Sequence, residues 1–153
     1  MKILICSDSH GQRYNIKDAF DKERPDAVFF LGDGLRDMDV FAHLPTVAVV
    51  CVKGNCDMYC GYEEDEERLI NLENKKLLLT HGHNSGVKQG LWKLDLLARE
   101  KGAEIILYGH THQVSRQMID DRLYICPGSI RQGSYVILNL SGDDVKVEFK
   151  ELY

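Results

Sequence analysis

The sequence predicts an α/β fold, a four-layer α/β/β/α sandwich with two packed mixed β-sheets and helices outside. Three observations carry that prediction. Apolar runs in the first half are short and continuous rather than alternating, as in strands buried on both faces. Each empties into a polar motif, and helical segments follow, a pattern that lays strands parallel with right-handed crossovers. The second half reads as a series of hairpins, which calls for a second sheet packed on the first.

Taken in order, residues 2–6 (Lys-Ile-Leu-Ile-Cys) are the first strand and lead into Ser7-Asp8-Ser9-His10-Gly11. Ile16, Ala19 and Phe20 share one face of a helix over residues 15–22, which Pro25 ends. Residues 27–31 are the second strand, closed by Gly32-Asp33-Gly34, and residues 35–44 read as a short helix. Pro45 restarts the chain into a third strand over 46–52, closed by Lys53-Gly54-Asn55-Cys56-Asp57. The acidic run 63–67 is a solvated loop. Residues 68–72 and 76–80 pair across Glu73-Asn74, and the second of these strands runs into His81-Gly82-His83. Leu91, Leu94 and Leu97 give a helix over 91–101 its buried face, with Gly102 at its C′ position. A strand from Glu104 to Tyr108 follows, then hairpins turning at Asp120-Asp121 and at Ser141-Gly142-Asp143. No repeat, low-complexity segment or linker interrupts the chain, so residues 1–153 are expected to form one domain.

Composition narrows the function. Hydrophobic content of 44% and charged content of 28% are ordinary for a soluble protein. A net charge of -5 speaks against stable nucleic-acid binding, which needs a basic surface. No run is long enough for a signal peptide or a membrane span, so the expected setting is the cytoplasm, without membrane association. Cys6, Cys51, Cys56, Cys60 and Cys126 lack a disulfide framework spacing and are read as reduced thiols. Cys56 and Cys60 could suggest a metal pair, but no second pair completes a site.

The chemistry gathers at the strand ends. Gly109-His110-Thr111-His112 delivers two imidazoles to one sheet edge. Asp8-Ser9-His10, Gly32-Asp33, Gly54-Asn55 and His81-Gly82-His83 each end another apolar run, where open α/β sheets place their sites. Five of the six histidines lie in these motifs; His43 is the exception. Asp8, His10, Asp33, Asn55, His81, His110 and His112 make a mixed oxygen and nitrogen donor set. Such a set suits Mn²⁺, Fe²⁺, Ni²⁺, Co²⁺ or Zn²⁺ rather than Ca²⁺ or Mg²⁺ alone. Two ions side by side would clamp a phosphoryl group and generate a bridging hydroxide. Each motif alone is weak, and a lone histidine is more often structural; the ordered set of five is the signal.

In that order the motifs resemble the signature of the calcineurin-like metallophosphoesterases: Asp-x-His, Gly-Asp, Gly-Asn-His-Asp/Glu, a later His and Gly-His-x-His. The short length and Gly54-Asn55-Cys56-Asp57 resemble the small single-domain branch, the YfcE-like phosphodiesterases. The resemblance spans residues 8 to about 129 and implies the same α/β/β/α fold. It implies that Asp8, His10, Asp33 and His112 hold one metal ion, that Asp33 bridges, and that Asn55, His81 and His110 hold the second. The family pattern has a histidine at Cys56 that contacts phosphate and helps the leaving group, so a weaker monoesterase is expected here. Cys126-Pro127-Gly128-Ser129 matches a stretch of that branch and is read as a turn before the last hairpin, with a backbone that could line the site.

The expected activity is therefore metal-dependent hydrolysis of small phosphodiesters, with two divalent ions, Mn²⁺ first and Mg²⁺ among the alternatives. Asp33 and Asn55 would act at the reacting centre. Cys56 and His83 are further catalytic candidates; for His83, rim bystander and phosphate contact or proton donor stand even. Cys56 is not needed as a nucleophile, because the hydroxide supplies one. Arg13 could steer an anion but reads better as a helix start. A phosphomonoesterase on the same site and a protein-binding scaffold of the same fold are the alternatives; a retromer subunit with this fold has lost some ligands, whereas here every position is filled. A homo-oligomer is left open.

Overall fold

In the computed structural model, which describes residues 1–44, 46–58, 61 and 63–153, two five-stranded sheets pack face to face. The expected break at Pro45 and the expected free thiol of Cys60 lie outside the described residues.

The first sheet is built on β1 (Lys2–Cys6), β2 (Ala27–Phe30) and β3 (Ala48–Cys51), all parallel, with Ile3 opposite Ala27 and Val28 opposite Val49. In the second sheet, β4 (Glu67–Leu72) and β5 (Lys75–Thr80) form a hairpin. Its turn residues Glu73 and Asn74 both have positive φ, 49° and 67°, as a two-residue type I′ turn requires. β6 (Ile105–Leu107) runs parallel to β5, and β8 (Arg122–Pro127) runs parallel to β6 with β7 (Val114–Ile119) antiparallel at its edge. The last hairpin, β9 (Ser134–Ser141) and β10 (Asp144–Glu151), returns to the first sheet, β9 lying antiparallel to β1. The sheet orders are β10-β9-β1-β2-β3 and β4-β5-β6-β8-β7.

Alternation along the strands divides the core into three layers. Between the sheets, Ile3, Ile5, Phe29 and Val136 meet Leu77, Leu79, Ile105 and Ile125. On the outer face of the first sheet, Leu4, Val28 and Ile137 pack under Ile16 and Ala19 of helix α1 (Arg13–Glu23). On the outer face of the second, Leu78, Ile106 and Tyr124 pack under Leu94 and Ala98 of helix α2 (Trp92–Lys101). This is the α/β/β/α arrangement.

Several boundaries differ from the sequence pattern. Helix α1 begins at Arg13, before the periodic residues start. Residues 35–41 form a 3₁₀ helix, which carries on from the Gly32-Asp33-Gly34 turn. β3 is shorter than its apolar run because it is an edge strand with only β2 to pair with. Of the three leucines expected to form the buried face, Leu94 is fully buried, Leu97 packs at the margin, Leu91 packs there too but precedes the helix, and Ala98 completes the face. Gly102, at φ 69°, ends that helix in the left-handed conformation.

Candidate metal centre

Five strands, β1, β2, β3, β5 and β6, deliver their carboxyl ends to one end of the sandwich, and the loops that follow interlock. The Asp8 N–H donates to Gly32 O at 2.9 Å, the His10 N–H to Asp33 O at 3.1 Å and the Gly109 N–H to His81 O at 3.0 Å. Glycines allow this approach. A Cβ on Gly54 would strike the Asp33 carboxylate, and one on Gly109 would strike Ser7 Oγ.

Asp8 is fully buried. Its Oδ2 accepts from Ser7 Oγ at 2.6 Å and from the His110 N–H at 3.1 Å. That leaves Oδ1 facing His112 Nε2 at 3.1 Å, His10 Nε2 at 3.6 Å and His81 Nε2 at 3.8 Å. Asp33 is held the same way: Oδ1 accepts the Cys56 N–H at 2.8 Å, and Oδ2 faces His81 Nε2 at 3.2 Å and His10 Nε2 at 3.8 Å. His81 Nδ1 lies 2.7 Å from the Leu31 carbonyl. A carbonyl only accepts, so Nδ1 carries the proton and Nε2 is directed at the carboxylates. His110 Nδ1 is 3.2 Å from that same Nε2, and His10 and His112 bring their Nε2 atoms to 3.4 Å.

Among the described residues three donor triads result, Asp8–His10–His112, Asp33–His81–His110 and, sharing residues with both, His10–Asp33–Cys56, each with its ligand atoms within 4.8 Å of one another. Ring nitrogens converging in pairs beside buried carboxylates suit a cation, because two lone pairs cannot satisfy each other. The electrostatics agree. Burial alone would raise the Asp33 pKa, but the hydrogen bond and charge of His81 and the Cys56 N–H hold its carboxyl well below the usual range. Burial would lower that of His81, but Asp33 and Asp8 outweigh burial and raise it. Burial, then the charges of His81 and Lys88, push His110 down to about 4, leaving it neutral near pH 7.

Five of these residues have positive φ: Asp8 (57°), His10 (42°), Asp33 (62°), His110 (72°) and His112 (60°). Positive φ is uncommon outside glycine, and Asp and His are among the residues that tolerate it best.

The remaining candidates lie around this centre. Asn55 opens the 3₁₀ turn Asn55–Asp57; it is exposed, and its Nδ2 donates to Cys56 Sγ at 3.5 Å. Cys56 is exposed, and burial followed by the Asp33 charge raises its thiol pKa. The His83 ring centroid is 5.5 Å from that of His81, its Nδ1 is buried without a partner, and its Nε2 is 4.0 Å from Glu66 Oε1. Burial and then His81 lower its pKa. Arg13 starts α1 and pairs with Asp39 and with Asp37. Together with Arg36, Asp37 and Asp57 it lines a cavity of about 410 Å³ that opens on His10, Asp33 and Cys56.

Three anchors escaped the sequence reading. Asp57 accepts the N–H groups of Asp33 (2.7 Å), Gly34 (2.9 Å), Leu35 (3.0 Å) and Gly54 (2.9 Å). Asp37 accepts from Ser9 Oγ at 2.6 Å and the Gly11 N–H at 2.8 Å. Ser129, in the stretch read as a turn, donates its Oγ to the Asp8 carbonyl at 2.8 Å, and the Ile130 N–H donates to Ser7 O at 2.9 Å. That stretch is a buttress under Asp8. For Asp57 a signal existed: the acidic fourth position of the Gly-Asn-x-Asp motif.

Comparison with known proteins identifies the family. A family model described as the calcineurin-like phosphoesterase superfamily domain matches residues 1–143. The probable metallophosphoesterase YsnB of Bacillus subtilis is 33% identical over 155 residues, covering 97% of this chain and 90% of its own. A protein of Methanocaldococcus jannaschii named a phosphodiesterase is 29% identical over 144 residues, covering 84% and 83%. The crystal structure of a conserved uncharacterised Streptococcus pneumoniae protein, described as a predicted phosphoesterase, superposes with a TM-score of 0.80 at 34% identity, covering 98% and 88%. With a match that takes in every strand-end motif, the chain belongs to the calcineurin-like phosphoesterase superfamily.

Proposed function

We propose that this chain is a binuclear metal-dependent phosphodiesterase acting on small phosphodiesters. The observation that carries the reading is the pairing of the two triads, with His10 Nε2 at 3.6 Å from Asp8 and 3.8 Å from Asp33. In this reading Asp8, His10 and His112 hold one ion, Asn55, His81 and His110 hold the other, and Asp33 serves both. The mixed donors favour Mn²⁺, with Fe²⁺, Co²⁺, Ni²⁺ and Zn²⁺ also matched and Mg²⁺ less so. When bound, two such ions supply Lewis acidity to a phosphoryl group and acidify a water towards neutral pH.

The chain's own residues prepare the rest. The Leu31 carbonyl fixes the His81 tautomer, and Cys56 N–H orients the Asp33 carboxylate. His83, its ring centroid 5.5 Å from that of His81, is placed to reach a phosphoryl oxygen at the rim through Nε2.

The preference for a diester follows from charge. The cavity beside the centre carries Asp33, Asp37 and Asp57 against Arg13 and Arg36, and Arg13 is already paired with Asp37 and Asp39. Cys56 adds no positive charge and is a weak donor. A monoester dianion meets more repulsion there than a diester monoanion. The name of the Methanocaldococcus jannaschii relative supports the same choice.

The test is kcat/KM for an aryl phosphodiester and for the matching monoester, each with Mn²⁺. The diester should be cleaved faster, and Cys56→His should shift the ratio towards the monoester. Preference for the monoester in the wild type would refute the charge argument. A chain that binds no metal and hydrolyses neither ester would be the scaffold instead.

A further inference from the structure

We propose that Cys56 gives this centre a second binding mode, specific for thiophilic divalent cations such as Zn²⁺ or Cd²⁺, built from Cys56 Sγ, His10 and Asp33. The proposal rests on the metal centre above in sharing His10 and Asp33, and adds a sulfur donor that the phosphoesterase reading does not use.

One ligand atom from each of these three residues lies within 4.8 Å of the other two. The Cys56 N–H, donated to Asp33 Oδ1 at 2.8 Å, clamps the cysteine backbone against the carboxylate. Its Sγ accepts from Asn55 Nδ2 at 3.5 Å and its thiol hydrogen-bonds the Asp33 carboxylate, a contact that an ion shared by the two groups would replace. All three residues line the 410 Å³ cavity, so an ion reaches them from solvent. Cys6, Cys51 and Cys126 are buried and offer no such access.

Donor softness decides which ions take this mode. Thiolate favours Zn²⁺ and its heavier relative Cd²⁺, whereas Mn²⁺ and Mg²⁺ prefer oxygen and nitrogen. In the binding step a metal–sulfur bond forms, the S–H bond breaks and the proton goes to solvent, with no change of oxidation state. The thiolate and the Asp33 carboxylate together cancel the charge of the ion. A site loaded this way holds its metal more firmly and attracts an anionic ester less than the Mn²⁺ form.

The experiment titrates CdCl₂ into the full chain and follows the ultraviolet sulfur-to-cadmium charge-transfer band. Wild type, Cys56→Ser and Cys60→Ser are compared, and Mn²⁺ binding is measured separately in each. The band should appear in wild type and Cys60→Ser and be absent in Cys56→Ser. Losing the thiol should weaken Cd²⁺ binding at least about tenfold, the lower end of what even an outer partner of a metal ligand contributes. Mn²⁺ binding should stay close to that of the wild type. A band that persists in Cys56→Ser but vanishes in Cys60→Ser would overturn the proposal, as would Cd²⁺ binding of equal strength without a band in all three proteins. Either result, with Mn²⁺ still bound, leaves the metal centre standing. Failure of every variant to bind either ion would remove both readings together.

Discussion

The carboxylate of Asp57 accepts the backbone N–H of Asp33 at 2.7 Å, so one buried acid fixes the main chain from which the other reaches the metal centre. The same carboxylate ties down Gly34, Leu35 and Gly54, joining the loops after β2 and β3. Asp57→Asn replaces one acceptor oxygen with a donor facing N–H groups. Hydrogen bonds to a charged partner contribute about 1.5–3 kcal/mol each, so a loss of about 3 kcal/mol is expected. The urea midpoint and the Mn²⁺ affinity should fall together; an unchanged midpoint would show that Asp57 is not the anchor.

Metal should stabilise the folded chain. An ion that binds only the folded state, at a hundred times its Kd, contributes about 2.7 kcal/mol. At roughly 2–4 °C per kcal/mol for a chain of this size, Tm should rise by about 5–11 °C with Mn²⁺. His110→Ala removes one donor of the Asp33 triad and should lose most of that rise. Equal shifts in both proteins would place the ion elsewhere.

Chelator should abolish hydrolysis and Mn²⁺ should restore it. Asp33 faces both His10 and His81, so Asp33→Asn removes the carboxylate charge that the two proposed ions would share. Even outer partners of metal ligands are worth about 10–100-fold, and a direct ligand should exceed that. Full turnover by Asp33→Asn after chelation would refute the assignment.

Away from the centre, stability should depend on pH through Glu23. This buried carboxylate accepts from Tyr135 Oη at 2.8 Å and pairs with Lys2 and Lys150, each at 3.2 Å. Burial would raise its pKa, but these partners outweigh burial and lower it from the usual 4.5. With the folded-state value depressed, the contribution is full above that usual value and is lost as pH falls through the folded one. Tyr135→Phe should leave a shallower acid limb in a plot of stability against pH; an unchanged slope would discount the pair.

The parallel half of the fold was legible because its strands are buried on both faces and end in punctuated polar motifs. Residues 2–6 and 27–31 needed only local reading. The return of β9 to pair with β1 was not legible: Leu138 sits opposite Ile3 across most of the chain, and no local pattern encodes that partner. The same contrast holds in the candidate site. Asp8, His10, Asp33, His81, His110 and His112 announce themselves by residue type at strand ends. Asp37 and Ser129 work by holding the backbone of those residues, and a serine or aspartate doing so looks like any turn residue until the loops are seen together.

Positive φ at Asp8, His10, Asp33, His110 and His112 sets local backbone preference against side-chain identity. Glycine would relieve about 1 kcal/mol or more at each such position. Fixing these donors at the strand ends therefore costs the fold stability that glycine at the same five positions would return.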